Sequence, residues 1–314
     1  MTTSAPRIWA VTLNPAIDDC RLERSGIVSL GGGGINAARS IGGRTVATGF
    51  AGASDLPLFG ELGIHGVDTR FVPVAGSTRL LVFDPGKGGK AQRTLGRPGF
   101  EVTRGDLERL IAVLTDPATG VKRQDVVILS GSVPKPLNGD TYAILAKSIS
   151  DSGARIVLDG PAEEVRRAVP TAWILKQNRR EFERLTGRAD QSDDDLFDLC
   201  RSVFPRGITL VTLGSAGTFV GYRKGELYRG FHLHCDLPWG LPTVSSLGTG
   251  DVITGQFAWE ISLSGDVISA ATWAVAAATA SLANPFPGVF DPILAGEVRS
   301  NIRYSYERSV PLGV

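Results

Sequence analysis

Short apolar runs alternate with helix-spaced segments along most of the chain. RIWAVTL (7–13), TVATGFAG (45–52), DVVILSG (125–131), ARIVLDG (154–160), AWILK (172–176) and GITLVTLGSAG (207–217) have the nearly unbroken apolar character of strands covered on both faces. Between them, GINAARSIGG (34–43), DLPLFGELGIHG (55–66), NGDTYAILAKSISDSG (138–153) and AEEVRRAV (162–169) carry apolar residues at helical spacing. This alternation predicts an α/β fold, a doubly wound and mostly parallel sheet with helices on both faces. Residues 67–96 break the pattern, because TRLLVFDPGKGGKAQRTL has strand character without an intervening helix. They predict a small antiparallel flap with PGKGGK (85–90) as a hairpin tip. With no repeat or long linker, the expectation is one domain over 1–314, carrying a β-flap lid formed by parts of 19–30 and 67–96.

Composition narrows the function classes. The formal net charge of +1 over 314 residues, with no basic run interleaved with aromatics, argues against a nucleic-acid partner. AATWAVAAATASLA (271–284) is too short and alanine-rich to cross a bilayer and predicts a buried helix. The first residues lack a basic segment followed by a long apolar core, so no signal peptide is expected. Cys20, Cys200 and Cys235 match no zinc spacing, and His65, His232 and His234 lack a completing ligand set. A reduced, cytoplasmic protein without a membrane partner is the expectation.

Four segments carry candidate chemistry. In SSLGTGDVITGQ (245–256), glycines precede Asp251 and then helical spacing begins. Gly248, Thr249 and Gly250 would leave open N–H groups at a helix start, which suits an anion, whereas Asp251 is also an ordinary first-turn acid. VTLNPAIDD (11–19) is either a solvated Asn-Pro turn or a strand end presenting Asp18 to ligand hydroxyls. In LGGGGINAARSIGG (30–43) four glycines allow close approach of backbone to a ligand, with Asn36 at the helix start. The G-x-G-x-x-A match there is a weak dinucleotide fingerprint, because no main strand directly precedes it. In ILKQNRREFERLTG (174–187), Asn178 and Glu181 form either a helix-capping pair or hard oxygen donors for Mg²⁺. TLGSAGTFVG (212–221) adds a strand with a tight glycine turn, suited to a nucleotide. Each segment has a plain structural explanation; their joint occurrence does not.

In this order, VTLNPAID, GGGGINAARSIGG, VILSGSVP, LKQNRREF, VTLGSAG and SSLGTGD resemble the PfkB (ribokinase-like) carbohydrate kinases. The resemblance is greatest to the branch with the minor 6-phosphofructokinase, 1-phosphofructokinase and tagatose-6-phosphate kinase. It implies a ribokinase-like fold and transfer of the γ-phosphate of ATP, with Mg²⁺, to a hydroxyl of a hexose phosphate. By the resemblance Asp251 is the base, and Gly248, Thr249 and Gly250 form the anion hole. Asn178 and Glu181 hold the metal. Lys176, Asn178, Thr212, Gly214, Gly217 and Asn284 lie on the nucleotide side. Asp18, Gly32, Gly33, Asn36, Arg79 and Ser132 bind the acceptor, Arg79 through its phosphate. A homodimer built on the lid is a further implication. The segment CRLERSGIVSL (20–30) is shorter than in relatives acting on sugar phosphates. It therefore leaves open an unphosphorylated sugar or nucleoside as acceptor; a separate alternative is a non-catalytic sugar- or nucleotide-binding regulator that keeps the fold.

Overall fold

The computed structural model describes residues 5–22, 25–84, 92–189, 192–238 and 240–312. The hairpin tip expected at 85–90 lies outside these residues. In chain order the strands are β1 (Ile8–Thr12), β2 (Ala16–Leu22), β3 (Ser25–Gly31), β4 (Thr45–Gly52), β5 (Asp68–Val74), β6 (Arg79–Asp84) and β7 (Gln92–Arg97). They continue with β8 (Val126–Ser130), β9 (Arg155–Asp159), β10 (Ile174–Asn178), β11 (Ile208–Thr212), β12 (Thr218–Lys224), β13 (Leu227–His234) and β14 (Arg303–Pro311). The helices are α1 (Gly33–Ile41), α2 (Arg104–Thr115), α3 (Thr141–Ser150), α4 (Ala162–Val165), α5 (Arg179–Thr186), α6 (Asp193–Val203), α7 (Thr249–Ser264), α8 (Val267–Ser281) and α9 (Pro292–Ser300).

The large sheet has the order β14-β13-β12-β11-β10-β9-β8-β1-β4-β5. Neighbours from β11 to β5 run parallel, and β12 to β14 extend one end antiparallel. The pleat of the central strands explains the layers. In β8, Val126 and Ile128 pack with α1, α7, α8 and α9, while Val127 and Leu129 pack with α2, α3 and α4. Apolar residues on both faces are what made these strands readable as parallel. The antiparallel end was not foreseen. β14 alternates exposed and half-buried positions and has no continuous apolar run.

A second sheet of order β3-β2-β6-β7 stands beside the first. Here the sequence expectations need correction. β2 and β3 pair antiparallel on either side of residues 23–24, and Asp18 sits inside β2 rather than at a strand end. β5 belongs to the large sheet, where it pairs with β4, so the second sheet begins only at β6 in this region. Val72 and Val74 bury one face of β5 on the core, and Pro73 is tolerated because β5 is an edge. The sheet is also mixed, because β2 and β6 are parallel. Residues 56–65 form a 3₁₀ run rather than an α-helix, with only Phe59 and Leu62 buried, at the three-residue spacing of that helix. The helix expected over 162–169 is one α-helical turn, 162–165.

Candidate active site

The site forms where α7 begins against α1. Gly255 lets the two helices approach, since a Cβ there would lie 2.7 Å from the carbonyl oxygen of Ala37. Gln256 Nε2 then donates to the Ser40 carbonyl at 2.7 Å. This contact carries the first turn of α7 to the start of α1, where Asn36 Nδ2 donates to Asp251 Oδ2 at 2.8 Å. Gly33 faces the same carboxylate: a Cβ there would sit 3.2 Å from Asp251 Oδ1 and 2.1 Å from Ser130 Oγ. Gly248, at φ 77°, takes the left-handed conformation that starts α7. Among the described residues the amides of Gly248 and Gly250 have no backbone partner, while Thr249 N makes a long 3.4 Å contact to the Ser246 carbonyl. The helix start therefore offers open donors with the positive end of the macrodipole behind them.

A buried ion pair lies under this turn. Lys176 Nζ donates to Asp159 Oδ1 at 3.0 Å, and both side chains are almost fully enclosed. Thr254 Oγ1 donates to Asp159 Oδ2 at 2.6 Å. The ammonium reaches the helix start, since a Cβ on Gly250 would lie 3.1 Å from Nζ. Burial pulls the Lys176 pKa down, but Asp159, Asp251 and Glu181 more than offset it, and the net shift is upward. Lys176 is therefore a fixed cation. Burial raises Asp251 from 3.8 to about 6, Asp159 adds to the rise, and Lys176 and the Asn36 hydrogen bond oppose it. Asp18 is likewise raised to about 6 by burial, against the pull of Arg79 and Arg39. Its Oδ1 is buried without a hydrogen-bond partner.

A cavity of about 620 Å³ opens on the other side of the α7 start. Thr212, Gly214 and Gly217 line it at the end of β11, together with Thr249 and Gly250, and Ile253, Val275 and Leu282 supply an apolar wall. Asn284 is not part of this lining. Its Oδ1 accepts from Phe286 N at 2.9 Å, so its side chain closes a local turn.

The Asn178–Glu181 capping box is complete: Asn178 Oδ1 accepts from Glu181 N at 3.0 Å, and Glu181 Oε2 accepts from Asn178 N at 2.9 Å. Burial raises the Glu181 pKa, and the Asn178 N–H and Lys176 oppose this. Among the described residues no three His, Cys, Asp or Glu side chains converge as a metal cage. The donor set fits Mg²⁺ held largely through water, with one carboxylate nearby, and does not fit an all-protein site.

Arg79 is half-buried. It begins an inner strand of the small sheet, and its guanidinium donates to the carbonyls of Asn14 (2.8 Å) and Pro15 (3.2 Å). It therefore braces the turn before Asp18. Ser132 Oγ accepts from Asn14 Nδ2 at 3.2 Å, and Gly32 packs against Thr12 and Pro15. Sequence reasoning missed Asp159, Thr254 and Arg39. Asp159 had a signal, as an acid ending the strand IVLD; Arg39 is three residues beyond Asn36 on the same helix.

Residues 18–287 match the family described as pfkB family carbohydrate kinase. The chain is 28% identical over 270 residues to 1-phosphofructokinase of Escherichia coli (strain K12), covering 79% of this chain and 82% of that one. It is 27% identical over 299 residues to the ATP-dependent 6-phosphofructokinase isozyme 2 of Mycobacterium tuberculosis, covering 89% and 85%. The solved phosphofructokinase-2 of Escherichia coli superposes with a TM-score of 0.81 at 20% identity, over 94% of this chain and 98% of that one, and shows a shared fold. Among the described residues no helix is long and apolar enough to cross a membrane.

Proposed function

The chain belongs to the pfkB family of carbohydrate kinases, and from that premise we propose that it transfers the γ-phosphate of ATP to a hydroxyl of a hexose phosphate. One observation carries the reading: the Asn36–Asp251 hydrogen bond places a half-buried carboxylate at a helix start, between the cavity and the glycine loop. In this reading the nucleotide lies in the cavity, its base against the apolar wall and its phosphates toward Gly250. The acceptor lies over Gly32, Gly33 and Asp18, whose partnerless Oδ1 would receive an acceptor hydroxyl. Asp251 takes the proton of the attacking hydroxyl as the new P–O bond forms and the bond to ADP breaks. The amides at the α7 start and the Lys176 ammonium attract the charge on the transferred phosphoryl oxygens. Mg²⁺, when bound, neutralises phosphate charge, and Asn178 and Glu181 would hold its water shell. The small sheet serves as the lid of a single kinase domain. The names of the two relatives support a phosphorylated hexose as acceptor.

Coupled measurement of ADP release tests the reading across fructose 6-phosphate, fructose 1-phosphate, tagatose 6-phosphate, neutral sugars and nucleosides. Release with a phosphorylated hexose is expected; release only with neutral acceptors would refute the acceptor assignment. The kcat profile should be flat above neutral pH and fall below about pH 6, because the base works only when ionised and Asp251 titrates near there. A profile still flat at pH 5 would remove Asp251 from that role.

Two variants refine the assignment. Glu181→Gln keeps an acceptor for the Asn178 N–H but removes charge, so the Mg²⁺ requirement should rise several-fold with little change in Tm. A lowered Tm at unchanged Mg²⁺ dependence would leave Glu181 a capping residue only. Arg79→Ala should raise the KM of a phosphorylated acceptor by roughly ten- to hundredfold and leave the KM of ATP in place. An equal loss with neutral acceptors would mean that Arg79 only braces the Asn14–Pro15 turn.

A further inference from the structure

Arg39 is 6% exposed and holds four acceptors around the catalytic turn. Its Nη1 donates to Asn36 Oδ1 at 3.2 Å and to the Pro287 carbonyl at 2.7 Å. Its Nη2 donates to the Leu30 carbonyl at 2.9 Å and to Glu61 Oε1 at 3.1 Å. Glu61 Oε1 also accepts from Leu30 N at 3.0 Å, so Leu30, just before the glycine loop, is held on both sides. Pro287 belongs to the loop packed against Gly248, where a Cβ would lie 3.0 Å from the Pro287 ring. One guanidinium thus ties the glycine loop, the start of α1 and the loop behind the α7 turn. Only a planar fork with several donors can do this.

Asn36 is the chemically decisive partner. Its side-chain amide has one end that donates and one that accepts, and the two ends are nearly the same shape. A guanidinium only donates, so the end facing Arg39 must be Oδ1. Nδ2 is then left for Asp251. We propose that Arg39 is a positioning residue for phosphoryl transfer, locking the Asn36 amide so that its N–H, and not its oxygen, meets the Asp251 carboxylate. The catalytic part of this inference rests on Asp251 as base; the orientation itself does not. With the amide reversed, Oδ1 would face a carboxylate. The ionised form would lose a donor and gain a repulsive dipole.

Arg39→Lys tests this. The charge is kept, but an ammonium drawn to the Glu61 carboxylate cannot also span Asn36. The other charged groups facing Asp251 are Asp159, Lys176, Glu181 and Asp18, and none is altered. Carbon-13 NMR titration of the side-chain carboxyls, with Asp251 assigned through Asp251→Asn, reads the effect without requiring turnover. The midpoint of Asp251 should rise by about 0.5–1 pH unit in Arg39→Lys. In parallel, kcat should fall roughly tenfold, with its acid limb displaced upward and the KM of ATP unchanged. In an Asn36→Ala background Arg39→Lys should add little further loss, because the amide it orients is gone. If Arg39→Lys fails to fold, Arg39→Gln, which keeps a short donor but loses the fork that spans Asn36 and Glu61, should move the midpoint in the same direction. An unmoved Asp251 midpoint in the folded variant, or fully additive losses in the double variant, overturns the proposal. A shifted midpoint in a protein that turns over no acceptor would leave the orienting role intact and refute the catalytic reading alone.

Discussion

Asp251→Asn should lose about 10²–10⁴-fold in kcat while binding ATP normally, the usual worth of a positioned base. The substitution is nearly isosteric, and its oxygen still accepts from Asn36, so the start of α7 is kept. It should also stabilise the protein. The folded state holds the Asp251 proton up to about pH 6, whereas the unfolded chain releases it near 3.8. The stability this group contributes is thus complete below 3.8 and is lost as pH rises through about 6. At pH 7.5 an uncharged amide avoids that loss, and the gain should be on the order of 1–3 kcal/mol. Urea unfolding and steady-state kinetics on the same preparation check both halves. Near-normal turnover would reduce Asp251 to a first-turn helix residue.

Lys176→Met should be the most destabilising of the substitutions considered. The ammonium is the buried partner of Asp159, and removing it leaves a carboxylate enclosed beside Asp251 and Glu181. Breaking a buried pair in this way costs about 3–5 kcal/mol. A second change, Asp159→Asn, should recover part of the loss, since it removes the stranded charge but keeps an acceptor for Thr254. Denaturant unfolding of the single and double variants measures this. Equal stabilities for wild type and Lys176→Met would mean that the Lys176–Asp159 contact contributes nothing to the fold.

What could be read from the sequence divides along physical lines. The parallel core was legible because β1, β4, β8, β9, β10 and β11 are covered on both faces and so are mostly apolar, with polar residues gathered toward their ends. Local chemistry was legible too: the glycines before Asp251 begin a helix, and Asn178 with Glu181 makes a capping box. Tertiary pairing was not. Thr254 meets Asp159 across 95 residues, and Arg39 meets Pro287 across 248. No local pattern encodes such partners. The small sheet was legible only in part, because strand character specifies neither partner nor direction: β5 joined β4 in the large sheet, and β2 meets β6 in parallel rather than antiparallel. Arg79 was legible as a cation but not as a brace, because its acceptors are backbone carbonyls, which every residue has. Asn284 was placed by resemblance alone, and its turn contact is of the ordinary Asn type.

The central claim is transfer to a sugar hydroxyl rather than to water, and phosphorus-31 NMR tests it most directly. The protein, ATP, Mg²⁺ and each phosphorylated hexose would be followed in one tube. The expected result is loss of the γ-phosphate signal with equal growth of ADP and of a second phosphomonoester on the acceptor, with both changes at least about a hundredfold slower in Asp251→Asn. Growth of inorganic phosphate alone, or ligand binding without any change in the ATP signals, would contradict it.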